Sequence, residues 1–579
     1  MNRAFKGLLL AVLVIAPAQA GEAPAAGKAA DPHAGLFAQD TYPSASQCKK
    51  CHERIYREWS LSSHAYAGIS PMFHKFEQKI NDLSQGTVGT FCVRCHIPVG
   101  TALGEKRELS IDKRARVSRE GITCVACHRI SEEYGLVNGE RRMVPGDIYQ
   151  FVYGNEDPKE VNRVVAEKDA FKVKTSAKEG RGVDMHAGAF KFPQLSSSEF
   201  CMGCHQVAVH PGIKLEVVWD QYHASPAAKK GVRCQDCHMG KEPGKANGFD
   251  TLAAAKISGQ ETAPRPHHDH SFFGPGYPIA HPGIFPFSDE DNDYSVEQWL
   301  LFDHRAGWGS DDFEAKVADG RIKTQFPPPW DDAISRQDAR KNIIAPNLEK
   351  IALKKEMRKK VMENGSRIDG PFFDRGPRVG RKLKFHYVVA NTDPGHNLPS
   401  GSLGAQPEIW LDVALLDPDG KNVWESGYVD SHGDMAGSHS LDVASGKLAA
   451  DNQLFNLQTK FLTTNVAGTD REMPLPVNFD IDQLPFIRQA PQPASVLNHP
   501  PFIRMEQRSI PPESSRKAKF TVPAAALAKP GSYTLAVRLR SRAEPIYFMK
   551  FVDATVEMER AMNEWMLDFH TATSKFDVH

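Results

Sequence analysis

Every cysteine in this 579-residue chain falls in one pattern. The copies are Cys48-Lys-Lys-Cys51-His52, Cys92-Val-Arg-Cys95-His96, Cys124-Val-Ala-Cys127-His128, Cys201-Met-Gly-Cys204-His205 and Cys234-Gln-Asp-Cys237-His238. The pattern is C-x-x-C-H, five times, and it uses all ten cysteines. Two thiols on one turn can add to the two vinyl groups of one haem, and the histidine that follows then reaches the iron from one side. A zinc site would pair C-x-x-C units and would not need a histidine after every second cysteine. A thioredoxin-like redox motif would occur once. The expectation is therefore five covalently attached haem c groups, with His52, His96, His128, His205 and His238 as proximal ligands.

Each iron then needs a sixth ligand or an open side. Outside the motifs, His64, His74, His186, His210, His223, His267, His268, His270 and His281 lie between residues 64 and 281. That excess makes bis-histidine ligation feasible throughout. The candidate distal ligands are His64, which follows Trp59 on an expected helix, His186, His270 in a polar loop, and His223, which follows Trp219. His396 joins them from far down the chain, on the loop Asn391-Thr-Asp-Pro-Gly395-His396-Asn-Leu-Pro399-Ser-Gly401. Met72, Met202 and Met239 are weaker alternatives, since methionine is more often packing.

The elements that must position these residues show a duplication. Phe91-Cys92-x-x-Cys95-His96 precedes Gly121-Ile122-x-Cys124-x-x-Cys127-His128, and Phe200-Cys201-x-x-Cys204-His205 precedes Gly231-Val232-x-Cys234-x-x-Cys237-His238. The near-equal spacing suggests two similar haem pairs, each held by one short unit, with the Cys48 motif in front. The stretch Trp59–His64, the segment Ser198-Glu199-Phe200-Cys201, and Gly231-Val232-Arg-Cys234-Gln235 resemble the multihaem cytochromes c related to the tetrahaem cytochrome of bacterial ammonia oxidation. The resemblance covers residues 42–285. It implies an electron-transfer protein with stacked and perpendicular haem pairs, mostly bis-histidine, a family in which one haem can lack a distal protein ligand. The chain departs from that family in having five motifs and a long C-terminal half. It has no C-x-x-C-K motif, the mark of the related pentahaem nitrite reductases. The Asn391–Gly401 loop resembles one found in β-domains appended to multihaem cytochromes.

Arg3 and Lys6, the apolar run Leu8–Ala16 and the small-x-small site Ala18-Gln19-Ala20 read as a secretory signal peptide. The run is too short to span a bilayer, and no later run approaches spanning length, so the protein is not expected to span a membrane. The expected location is the periplasm, or the cell surface after export. Lys+Arg and Asp+Glu are balanced at 71 each, which removes any reason to expect nucleic-acid binding.

The fold class read from the pattern is multidomain: a mostly α or irregular multihaem domain, then an antiparallel β-sandwich-like domain with a C-terminal helix. The expected boundaries are a signal peptide over 1–20, a flexible linker over 21–41, a pentahaem domain over 42–285, a Pro- and aromatic-rich wrapping segment with a basic helix over 286–375, and the β-domain over 376–579. The basic helix, Asn347 to Met362 with Pro346 before it, reads as a solvated face. Strands are expected at Lys382–Val389, Glu408–Leu416, Asn422–Ser426, Lys517–Val522 and Ser532–Arg540, and a helix from about Thr555 to His570.

Two function classes follow. One is an exported carrier relaying electrons between redox protein partners, either other cytochromes or a quinol-oxidising membrane complex. The other is an oxidoreductase in which one open haem acts on a small nitrogen or sulfur compound.

Overall fold

The computed structural model describes residues 41–579, apart from 84–85, 87, 136–137, 139–140, 211–212, 277, 288–293, 402–406, 438, 463–473 and 476–503. The signal peptide and nearly all of the linker expected before residue 42 lie outside the described residues.

Residues 41–285 form short helices joined by irregular chain and two-stranded pairs. Four of the five motifs sit on helical turns: Val93–His96, Cys124–His128, Glu199–His205 and Cys234–His238. The first motif straddles the end of helix Ala45–Lys49, and the amides of Cys51 and His52 both donate to the Cys48 carbonyl, at 3.1 and 2.9 Å. An i, i+3 spacing on such a turn puts both thiols on one face, as the motif's chemistry needs. The glycine that opens the second motif of each repeat has a positive φ, 63° at Gly121 and 72° at Gly231. A Cβ on Gly121 would also lie 2.5 Å from the His64 carbonyl oxygen, so that position admits only glycine.

The wrapping segment is less a cover than a small core of its own. Trp299, Phe302, Trp308, Phe313 and Trp330 cluster with Ile343 and Ile344, while Phe285 packs instead with Tyr56 and Trp59. The helix expected from Asn347 is longer and begins differently. Helix Ala333–Ala339 runs through a π-turn, Arg340–Ile344, into helix Ala345–Asn364. Pro346 does not start a helix from a loop; the wider turn before it absorbs its missing N–H and the crowding of its ring.

That helix also corrects the solvated-face reading. Its buried residues are Asn347, Ile351, Lys354, Arg358 and Met362, a stripe at helical spacing. Lys354 Nζ donates to the Leu61 carbonyl at 2.7 Å. Arg358 donates to the Pro275, Trp565 and Ser541 carbonyls, the last two at 3.1 and 3.3 Å. Lys359 and Lys360 remain exposed.

After the helix, seven of the strands among the described residues build the two larger sheets: β1 Ser366–Phe373, β2 Leu383–Asn391, β3 Glu408–Leu416, β4 Asn422–Ser426, β5 Ser515–Val522, β6 Gly531–Arg542 and β7 Leu567–Val578. They form two antiparallel sheets, ordered β1-β2-β5 and β4-β3-β6-β7. Leu383, Phe385, Tyr387 and Val389 of β2 and Ile409, Leu411, Val413 and Leu415 of β3 alternate along their strands into one shared core. The Asp417–Gly420 turn joins β3 and β4 as its sequence indicates, with Leu415 opposite Trp424.

The C-terminal helix is shorter than expected. It covers Val556–Glu564, capped by the Thr555 side chain, and the chain then turns into β7. Leu567 and Phe569, which look like the end of an amphipathic helix, instead alternate inward on a strand paired with β6. Pairing along twelve residues of β6 overrides a local helical pattern. Among the described residues, no helix is long and apolar enough to cross a membrane.

Candidate haem-binding site

All ten cysteines are free thiols of intermediate exposure. Thiols of different motifs lie side by side: Cys48 with Cys124, Cys95 with Cys204, and Cys201 with Cys234. The second repeat thus keeps its two motifs together. The first does not; its Cys95 meets the fourth motif and its Cys124 meets the first. The expectation of two equivalent pairs holds for one repeat only, because tertiary packing, not chain order, selects the neighbours.

Three motif histidines face a second histidine ring at nearly the same separation. Ring centroids are 6.3 Å apart for His205 and His64, 6.4 Å for His128 and His270, and 6.2 Å for His238 and His396. His186 is beside His52, which is the largest charged influence upon it. Burial holds His64 and His270 down to about 3, and His186, His238 and His96 down to about 4. All five are therefore neutral at pH 7, the form that binds a metal.

Hydrogen bonds fix which nitrogen is available. A ring nitrogen facing a carbonyl must donate, so its partner nitrogen keeps a lone pair. His52 Nδ1 donates to the Ala254 carbonyl at 2.8 Å, His128 Nδ1 to Tyr153 at 2.8 Å, and His186 Nδ1 to Gly188 at 3.2 Å. His396 Nδ1 lies 3.3 Å from the Asn397 carbonyl and 3.3 Å from Asp393 Oδ2. Each of the four thus leaves Nε2 free. The reverse holds elsewhere: His74 and His281 use Nε2 on the Gly68 and Phe302 carbonyls, at 2.9 and 2.8 Å. His267 Nε2 bonds Glu58 Oε1 at 2.7 Å.

His223 is exposed and stacks on Trp219 at 5.7 Å. The structure does not bring it to a motif histidine. His96 also stands apart, with the ring stacked on it at 4.0 Å belonging to Phe73.

The supporting elements explain the stretch around Trp59. Trp59 Nε1 donates to the Ile122 carbonyl at 2.9 Å, and the Ile122 amide donates to the His64 carbonyl at 3.0 Å. Glu58 accepts from the His270 amide at 3.1 Å. One short helix therefore sets both His64 and His270. His396 is placed by its loop: Asn397 N and Ser400 Oγ bond Gln221 Oε1 at 3.2 and 2.8 Å, and Ala227 N bonds the Pro394 carbonyl at 3.1 Å. The β-region thereby reaches the last motif.

Cysteine pairs each followed by a histidine, with thiols of different motifs side by side, fit covalent haem c. The family model for cytochrome c554 and c-prime matches residues 47–129, which hold the first three motifs. Over that stretch the chain is similar to multihaem c-type cytochromes. The chain is also similar to the solved penta-heme cytochrome c552 from Thermochromatium tepidum. The identity is 16%, the match covers 92% of this chain and 98% of that one, and the TM-score is 0.46. No curated protein matches the chain.

Sequence reasoning missed one sorting rule, the nitrogen each histidine commits to the backbone. No local sequence signal carries it, since the acceptor carbonyls of Ala254, Tyr153 and Gly188 come from other segments or from turns.

Proposed function

We propose that the chain is an exported pentahaem cytochrome that relays single electrons between redox protein partners. Each of the five motifs would hold one haem c, and the residues that would bind the irons in pairs are His205 and His64, His128 and His270, His238 and His396, and His52 and His186. The observation that carries this reading is the recurring ring separation of 6.2 to 6.4 Å. Two imidazoles bound on opposite sides of one ion, each by a bond of about 2 Å, place their ring centroids roughly 6 Å apart. The haem supplies a one-electron couple when bound. The protein's residues would orient the histidine rings and hold neighbouring motifs together, so that electrons can pass between closely placed centres. The two C-terminal sheets, read as a β-sandwich, serve as a platform that donates His396. Periplasmic or surface location follows from the signal-peptide reading.

One observation favours a catalytic role for a single haem. Phe73 rather than a histidine stacks on His96, and the nearby His74 commits its Nε2 to Gly68. The haem on Cys92 and Cys95 would then keep an open side for a small nitrogen or sulfur compound.

The test is a pyridine haemochrome count on mature protein, with ferric electron paramagnetic resonance. Five haems, four of them low-spin, are expected. Fewer than five per chain would reject the pentahaem reading, and five low-spin haems would reject the open site. If one haem is high-spin, its signal should shift on adding nitrite, hydroxylamine or sulfite.

A further inference from the structure

Arg141 lies where three motifs meet. Its Nη2 is 2.9 Å from Cys204 Sγ, and its guanidinium rests 5.9 Å from the Tyr134 ring and 6.0 Å from the Phe200 ring. Cys204, Tyr134, Cys127 and Cys95 are the groups that act on it most strongly, so it faces the second, third and fourth motifs together. The same cation bears on His64 and His205, the ring pair of the fourth motif. Among the described residues it makes no ion pair with a carboxylate, whereas the buried Arg336 and Arg542 pair with Glu314 and Glu408.

A half-buried cation pays part of the cost of leaving water unless something compensates it. Once the thiols become thioethers they carry no charge, so the thiols cannot be that compensation. We propose that Arg141 is a positioning charge that raises the electron affinity of the haem on Cys201 and Cys204, making that centre the junction of the relay. The proposal rests on haem attachment at the fourth motif. A fixed positive charge favours whichever state of the neighbouring centre carries one more electron, and low local polarity strengthens the effect. The electron arrives from the donor partner and leaves to the acceptor, and no bond forms or breaks. The Cys95–Cys204 and Cys201–Cys234 contacts give that centre two neighbours, as a junction requires.

The experiment is a spectroscopic redox titration of the full-length holoprotein beside Arg141→Gln and Arg141→Lys, with a haemochrome count on each. In the Gln variant one midpoint should fall by an amount equal to about a tenfold loss of electron affinity, about 59 mV for a one-electron couple. The other midpoints should move far less, and the Lys variant should keep the original values. Unchanged midpoints in a fully loaded Gln variant overturn the proposal, as do equal shifts in Gln and Lys, which would mean packing rather than charge. If Gln loses haem, Arg141→Met is titrated in its place. If both neutral variants lose haem while Lys retains five, the residue serves attachment and the proposal falls. A wild-type count below five would instead fault the pentahaem reading.

Discussion

A histidine's hydrogen bonds say as much as its position. His396 and His238 face each other at 6.2 Å although 157 residues lie between them in the chain. His396→Ala should therefore turn one haem high-spin while all five remain attached, read by electron paramagnetic resonance and a haemochrome count. An unchanged spectrum would remove His396 from the ligands. His223→Ala should change neither, since that ring is exposed on Trp219. Glu544 offers a second test at this scale. Its Oε2 is buried without a hydrogen-bond partner, and burial pushes the carboxyl up to about 7. Below the ordinary carboxylate range the group is protonated in both folded and unfolded chains and costs nothing. As pH rises toward 7 the unfolded chain ionises first, so stability falls across that interval by up to about 3 kcal/mol. Glu544→Gln should raise the melting temperature at pH 8 and leave it nearly unchanged at pH 4.5. Equal changes at both pH values would contradict this.

Helix Ala345–Asn364 joins the motif region to the sheets through charged side chains as well as through the apolar Ile351 and Met362. Arg358 reaches carbonyls of residues 275, 541 and 565, and Lys354 reaches the carbonyl of Leu61. Arg358→Leu would leave several buried acceptors unpaired at once. A loss of about 2 to 4 kcal/mol is expected, seen as a lower midpoint of chemical unfolding with the haem count unchanged. A change under about 0.5 kcal/mol, typical of surface sites, would mean that the helix is not the join described.

The whole molecule is held by cores of two kinds. The sheet core draws every buried member from Met362 onward, so it is self-contained. A second cluster is shared: Met72 and Ile80 pack with Ile546, Phe548, Met549 and Met562. The segment 345–579 made alone should fold without haem, giving a β-type circular dichroism spectrum and a cooperative melt. A chain ending at residue 345 should keep its five motifs loaded but lose His396, so one haem becomes high-spin. It also uncovers the Met72 and Ile80 face, and its solubility should fall. Loss of several haems would mean that the C-terminal half is needed for attachment.

The sequence by itself pointed to the chemistry of attachment, because C-x-x-C-H is a local pattern and one helical turn satisfies it. It also determined most strands of the C-terminal region, whose period-two alternation is local as well. It put His64, His186, His270 and His396 among the candidates, and each lies close to a motif histidine in the fold. It could not tell His223 from them, because exposure on Trp219 depends on what covers a residue from elsewhere. Only the tertiary structure decided which motifs adjoin, since Cys48 meets Cys124 across a separation no repeat indicates. It also decided that Lys354 and Arg358 are buried, against their composition, because carbonyls from distant segments receive them. The last strand was hidden for the same reason: Leu567 and Phe569 fit a helix locally, and the long edge of β6 was needed to draw them into a sheet.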